Sequence, residues 1–197
     1  MGHSRLVAGL AAVAALLPGA TLHSAARLHG AAKPKGVWME YVIQFTASGT
    51  VGGSWDDPNV VGGRRFTDAQ VKFIQVSNTT AIERRDPQHY WNTVGVGTIA
   101  INGSVLGWAN GWEVGVNQNH SGWGAAQLWI SDGSESIGTT SPASATYRLS
   151  TPLPPAKGAC TLTYPNNYYA NHDVLVHIAD FAKVCTFSST RWLKPVP

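Results

Sequence analysis

From residue 37 to the C-terminus the chain is written in short apolar runs that alternate at period two, cut apart by clusters of Gly, Pro, Ser and Asn. No stretch beyond the first 26 residues carries helical periodicity. Alternation buries one face of a strand and the intervening clusters supply turns, so the pattern points to β-structure throughout. The clearest run is 37–47, where Val37, Met39, Tyr41, Ile43 and Phe45 share one face. Residues 48–65 hold five Gly, one Pro and the Asp56-Asp57 pair and read as a long loop. Further strands are predicted at 69–77, 94–101, 104–109, 112–117, 125–131, 145–150, 160–164, 174–179 and 184–188. About ten short strands predict an all-β fold, an antiparallel β-sandwich or jelly roll, with a closed β-barrel as the alternative.

Asn-Gly occurs at 102–103 and again at 110–111. This dipeptide suits two-residue type I′ turns, because both positions need positive φ. If both are such turns, 94–117 is a three-stranded meander with a fixed register: Ile101 pairs with Ser104, and Ala109 with Trp112. One face then carries Val96, Thr98, Ala100, Val105, Gly107, Ala109, Trp112, Val114 and Val116 and forms core. The other carries Ile99, Ile101, Ser104, Leu106, Trp108, Glu113, Gly115 and Asn117, with Trp108 opposite Glu113. Trp108, Glu113 and Asn117 are therefore the binding candidates: a ring for stacking on sugars, and a carboxylate and an amide for their hydroxyls. The alternative is that Trp108 packs beneath a loop or second sheet while Glu113 pairs with a basic residue at an edge. Eight Trp in the chain do not separate the two, since Trp38, Trp55, Trp123 and Trp129 suit packing equally well.

The first 26 residues have the parts of a secretory signal: Arg5 in a basic start, an apolar run over 6–17, and a small-residue exit with Ser24 and Ala26 before Arg27. Pro18 and Gly19 interrupt the run well short of the roughly 20 apolar residues that span a bilayer, so cleavage is expected and no stable membrane anchor remains afterwards. Residues 27–36 read as a linker and 37–197 as one domain with its own core. Without Arg5 the chain keeps thirteen basic against eleven acidic residues, a net charge of +2. The basic pairs Arg64-Arg65 and Arg84-Arg85 are scattered solvated charges, so no nucleic-acid partner is expected.

Cys160 and Cys185 are the only cysteines. In an oxidising compartment they are expected to form one disulfide. They lack zinc-site spacing, and His172 and His177 point to opposite faces of a strand, so neither a metal nor another cofactor is expected. The acidic turn at 132–135 lacks the ligand spacing of an EF-hand loop and reads as an exposed β-turn, and His89 beside Tyr90 and Trp91 reads as a packed loop histidine. Three glycosylation sequons begin at Asn78, Asn102 and Asn119. No Gly-x-Ser-x-Gly nucleophile turn is present. The enzyme route left by the sequence is a carboxylate pair, Glu113 with Asp132 or Glu135, as in a glycosidase.

Several segments occur in a characteristic order: Phe45-Thr46-Ala47-Ser48-Gly49-Thr50-Val51-Gly52-Gly53, Phe66-Thr67-Asp68-Ala69, Val96-Gly97-Thr98-Ile99-Ala100-Ile101-Asn102-Gly103, Val116-Asn117-Gln118 and Ala145-Thr146-Tyr147-Arg148-Leu149-Ser150-Thr151. Over residues 41–155 this order resembles a group of bacterial exported β-rich proteins of unassigned function, often carrying a PEP-CTERM sorting tail. The resemblance implies export and a β-rich domain, and it brings no catalytic residues. The chain departs from the pattern at its end, Leu193-Lys194-Pro195-Val196-Pro197, which has neither an apolar anchor helix nor a basic cluster.

The expected function is that of an exported, non-enzymatic binding or structural β-protein acting in the cell envelope or outside the cell, on polysaccharide or an extracellular protein partner. Two alternatives stand beside it: a small secreted glycan-active hydrolase using Glu113, and a secreted inhibitor or effector with a protein target.

Overall fold

The alternation of 37–47 becomes strand β1 (Trp38–Gly52), which turns Met39, Tyr41, Ile43, Phe45 and Ala47 inward, while Val37 precedes it and is 37% exposed. The computed structural model describes residues 36–52, 63–118, 126–163, 167–171 and 174–197. The leader, nearly all of the linker, Asp56-Asp57, Trp55, Trp123, Asn119 and His172 lie outside the described residues. The remaining strands are β2 (Arg64–Asn78), β3 (Ile82–Asp86), β4 (His89–Ile101), β5 (Ser104–Val105), β6 (Ala109–Asn117), β7 (Gln127–Ser131), β8 (Ser136–Thr140), β9 (Leu153–Leu162), β10 (Asn167–Asn171), β11 (Val174–Phe181) and β12 (Val184–Arg191).

Eight of these close into an antiparallel barrel in the order β1, β12, β9, β8, β7, β6, β4, β2 and back to β1. The class is the all-β antiparallel one, and of the two architectures expected the closed barrel is formed. Closure follows from β1, which hydrogen-bonds along one edge to β2 from Trp38 to Val51 and along the other to β12 from Met39 to Gln44. From Ala47 onward the second edge passes to β11, with a bulge between Ser48 and Gly49, so the β10–β11 hairpin branches off the barrel. Closing the sheet removes the unpaired edges that an open one would present.

At eight strands the interior is just wide enough for side chains to fill it. Trp112, Tyr41, Phe73, Phe187, Met39, Ile43, Ile99, Leu128, Ile130 and Ile137 are fully buried there. Each such side chain contributes roughly 1.5–3 kcal/mol of transfer free energy. Tyr168 of β10 packs edge-on against Phe73 at 4.7 Å and covers one end. The other end is plugged by the β8–β9 connection. There the Tyr41 hydroxyl donates to Leu149 O at 2.5 Å, the Tyr147 hydroxyl meets Ser189 Oγ at 2.6 Å, and burial pushes Tyr147 up to about 12.

Three local expectations are corrected. Residues 145–150 are not a strand. They follow a short 3-10 turn, Pro142–Ala145, and the alternation of Tyr147 and Leu149 serves the plug, with Leu149 at φ 62. Asn102-Gly103 is the expected two-residue turn, with φ 48 and 82 and Ile101 paired to Ser104. Asn110-Gly111, however, lies inside β6, where Gly111 at φ 85 absorbs a register shift between Gly95 and Val96 on β4. Ala109 and Trp112 therefore do not pair, and on β4 the faces are the reverse of those expected: Ile99 points inward beside Phe73, and Thr98 and Ala100 are buried on the outer side. Strands β3, β8 and β10 had no sequence signal, being charged, small or polar rather than alternating.

Cys160 and Cys185 form a disulfide between the neighbours β9 and β12, with Cα atoms 5.1 Å apart. No helix among the described residues is long and apolar enough to cross a membrane.

Candidate functional site

With Val114, Val116, Leu128, Ile130 and Ile137 facing inward, the residues between them on β6, β7 and β8 face outward and form rows across the strands. The register sets a middle row of Trp91, Gly115, Trp129 and Gly138. To one side lies a row of His89, Asn117, Gln127 and Thr140, and to the other Glu113, Ser131 and Ser136. An aromatic row alternating with glycine thus runs between two polar rows. From these rows Trp91, Trp129, His89, Asn117, Gln127, Glu113, Ser131 and Ser136, with Arg85, Asp86, Tyr90, Ser134 and Glu135, line a groove of about 580 Å³.

The glycine beside each indole shapes the groove. A Cβ on Gly115 would stand 2.1 Å from Cζ2 and 2.2 Å from Cε2 of Trp129, so the ring of Trp129 occupies the space above Gly115. Trp91 meets it edge-on at 5.3 Å and 81°. The two rings make a floor and a wall. Arg85 of β3 lays its guanidinium 3.5 Å from the centre of the Trp91 ring, a cation–π contact of about 0.5–2 kcal/mol. Trp91 Nε1 donates to Glu113 Oε2 at 3.2 Å.

Burial raises the Glu113 carboxyl above its ordinary range, and the hydrogen bond from Trp91 and the charge of Arg85 act against that rise. Asp86 is shifted down, first by the backbone N–H of Gln88 and then by the His89 ring. Its Oδ1 accepts from Gln88 N at 2.8 Å and His89 N at 3.1 Å, while Oδ2 contacts His89 Nδ1. On the β7–β8 turn Asp132 is a structural hub: Oδ1 accepts from Ser134 N, Ser134 Oγ and Glu135 N, and Oδ2 from Tyr169 N. Its lone pairs are committed to holding the turn. Glu135, not Asp132, is the second carboxylate of that turn in the groove. No group of three or more His, Cys, Asp or Glu among the described residues is arranged to hold a metal ion.

Of the sequence candidates, Glu113 and Asn117 line the groove together and Trp108 does not. The bulge at Gly111 cancels the register that would have put Trp108 opposite Glu113; Trp108 instead packs edge-on against Trp192 at 6.1 Å. The groove residues that the sequence reading passed over are Trp91, Trp129 and Arg85. Their signal is cross-strand rather than local, because Gly115 separates the two indoles only once β4, β6 and β7 are aligned. No family model, curated protein or solved structure matches this chain.

Proposed function

We propose that this is an exported carbohydrate-binding protein and that the outer groove over β4, β6 and β7 is its glycan site. The observation that carries the reading is the row Trp91, Gly115, Trp129 between two polar rows. A sugar ring has an apolar face of C–H groups and a rim of hydroxyls. The indole of Trp129 supplies stacking area for the face, and Glu113 and Asn117 supply acceptors for the rim. A few polar groups around an aromatic floor are what fix a small ligand's orientation in such a groove. Among the described residues the barrel interior is filled by buried side chains, which also favours the outside. Export rests on the leader, and the Cys160–Cys185 disulfide fits an oxidising compartment. The partner is then a polysaccharide of the cell envelope or surroundings. Incubating the protein with a panel of insoluble polysaccharides tests this: retention on at least one is expected, and retention on none contradicts the reading.

One observation favours a hydrolase at the same groove. Burial raises the Glu113 carboxyl, the direction in which a general acid is tuned, and Glu135 lines the same groove. Release of reducing ends from the retained polysaccharide, lost in Glu113→Gln, supports catalysis, whereas retention without release supports binding alone.

A further inference from the structure

We infer that a second pocket, at the end of the barrel where β1 ends and β2 begins, binds a small amphipathic carboxylate, with its anionic head on Arg64 and Arg65 and its apolar body against Phe66, Ile101 and Leu106. The pocket encloses about 380 Å³ and shares no lining residue with the outer groove. Its walls are held by hydrogen bonds. Asn102 N donates to Gln70 O at 2.8 Å and Gln70 N donates to Asn102 Oδ1 at 2.9 Å, which clamps the β4–β5 turn against β2. Leu106 is fixed twice, its N donating to Ile99 O at 3.0 Å and its O accepting from Asn171 Nδ2 at 3.0 Å. Phe66 pairs with Gly49 across the strands, where a Cβ would stand 2.9 Å from its Cζ, so the ring lies over the glycine. Walls set in this way spare a ligand the cost of ordering them.

The lining sets the ligand's chemistry. Val51, Phe66, Ile101 and Leu106 are only partly buried against the core and line the pocket with apolar surface. Arg64 and Arg65 are exposed, and among the described residues neither side chain forms an ion pair, a hydrogen bond or a cation–π contact. No Asp or Glu stands among the described lining residues. Two guanidiniums on consecutive residues thus repel one another beside an apolar wall, and an anion between them relieves that repulsion. The paired N–H donors of a guanidinium match the two oxygens of a carboxylate. Thr67 and Ser104 add hydroxyls to the same lining. The volume falls at the small end of ligand pockets, about 300–1,000 Å³, and suits one small molecule rather than a polymer.

Calorimetric titration of the full chain with octanoate and with naphthoate tests this, the two probes separating an aliphatic body from an aromatic one. Saturable binding of at least one is expected. The matching alcohols, octanol and naphthol, lack the charge and are expected to bind about tenfold or more weakly. Acetate lacks the body and is expected to fall by about tenfold or more as well. Arg64→Ala combined with Arg65→Ala is expected to bring the carboxylate down to the affinity of its alcohol, with the thermal midpoint reporting on folding. Arg64→Lys combined with Arg65→Lys keeps the charge without the paired donors and is expected to fall between. Trp129→Ala is expected to bind the probes like the parent. Binding of neither probe, equal affinity for carboxylate and alcohol, full affinity in the folded double alanine variant, or loss of binding in Trp129→Ala overturns the site. The carbohydrate reading stands in each case, because it rests on other residues.

Discussion

The indole of Trp129 on β7 occupies the space where a side chain on Gly115 of β6 would stand: a Cβ there would lie 2.1 Å from the ring. The relationship makes a direct prediction. Gly115→Ala should displace the ring, and because Trp129 is only half-buried it can swing outward, so the cost to stability is expected to be about 1–3 kcal/mol. Binding to the retained polysaccharide should fall far more than the denaturation midpoint.

Trp108 belongs to a different structure. It packs on Trp192, whose backbone N donates to Trp38 O at 2.9 Å and whose ring lies 5.6 Å from Lys194 Nζ. Trp108→Ala is expected to lose roughly 1–2 kcal/mol in urea denaturation, through the lost aromatic pair and its burial. An unchanged denaturation midpoint would contradict this packing role.

These two tryptophans show what the sequence could and could not reveal. The inward face of β1 was readable because alternation is local, and the disulfide because the chain has only two cysteines. Glu113 and Asn117 were readable as outward-facing, since β6 keeps its alternation after Trp112. Their partner was not. Positive φ is demanded equally by a type I′ turn and by a bulge, so Asn110-Gly111 looks like Asn102-Gly103, yet Gly111 sits within a strand and shifts the register. Barrel closure was equally hidden, because β1 meets β12 across nearly the whole domain and no local pattern records that pairing.

The disulfide joins neighbouring strands across a sequence separation of 25 residues. Removing it by Cys160→Ala with Cys185→Ala is expected to cost about 3 kcal/mol in the chain-entropy account. Chemical denaturation of this pair beside the oxidised protein measures the difference, and equal stabilities would contradict it.

Two carboxylates should give opposite pH signatures. Burial raises Glu113, so the folded chain holds that proton more tightly than the unfolded chain. As pH rises above 4.5 the unfolded chain ionises first, and stability falls until the folded carboxyl ionises as well. Glu113→Gln is therefore expected to gain on the parent across that window. Asp86 is lowered, first by the Gln88 N–H, so its contribution is present above 3.8 and is lost as pH falls toward the folded value. The deficit of Asp86→Asn against the parent should shrink on acidification. Urea denaturation from pH 3 to about 7 reads both windows, and the same sign for both carboxylates would contradict the assignment.

The measurement that bears most directly on the outer groove as the glycan site compares Trp129→Ala with Trp108→Ala on the polysaccharide that the parent protein retains. The account expects Trp129→Ala to pass through unretained with its fold intact, and Trp108→Ala to be retained like the parent despite its lower stability. Retention of Trp129→Ala together with loss in a folded Trp108→Ala would contradict it, placing the binding surface at the Trp108–Trp192 pair instead.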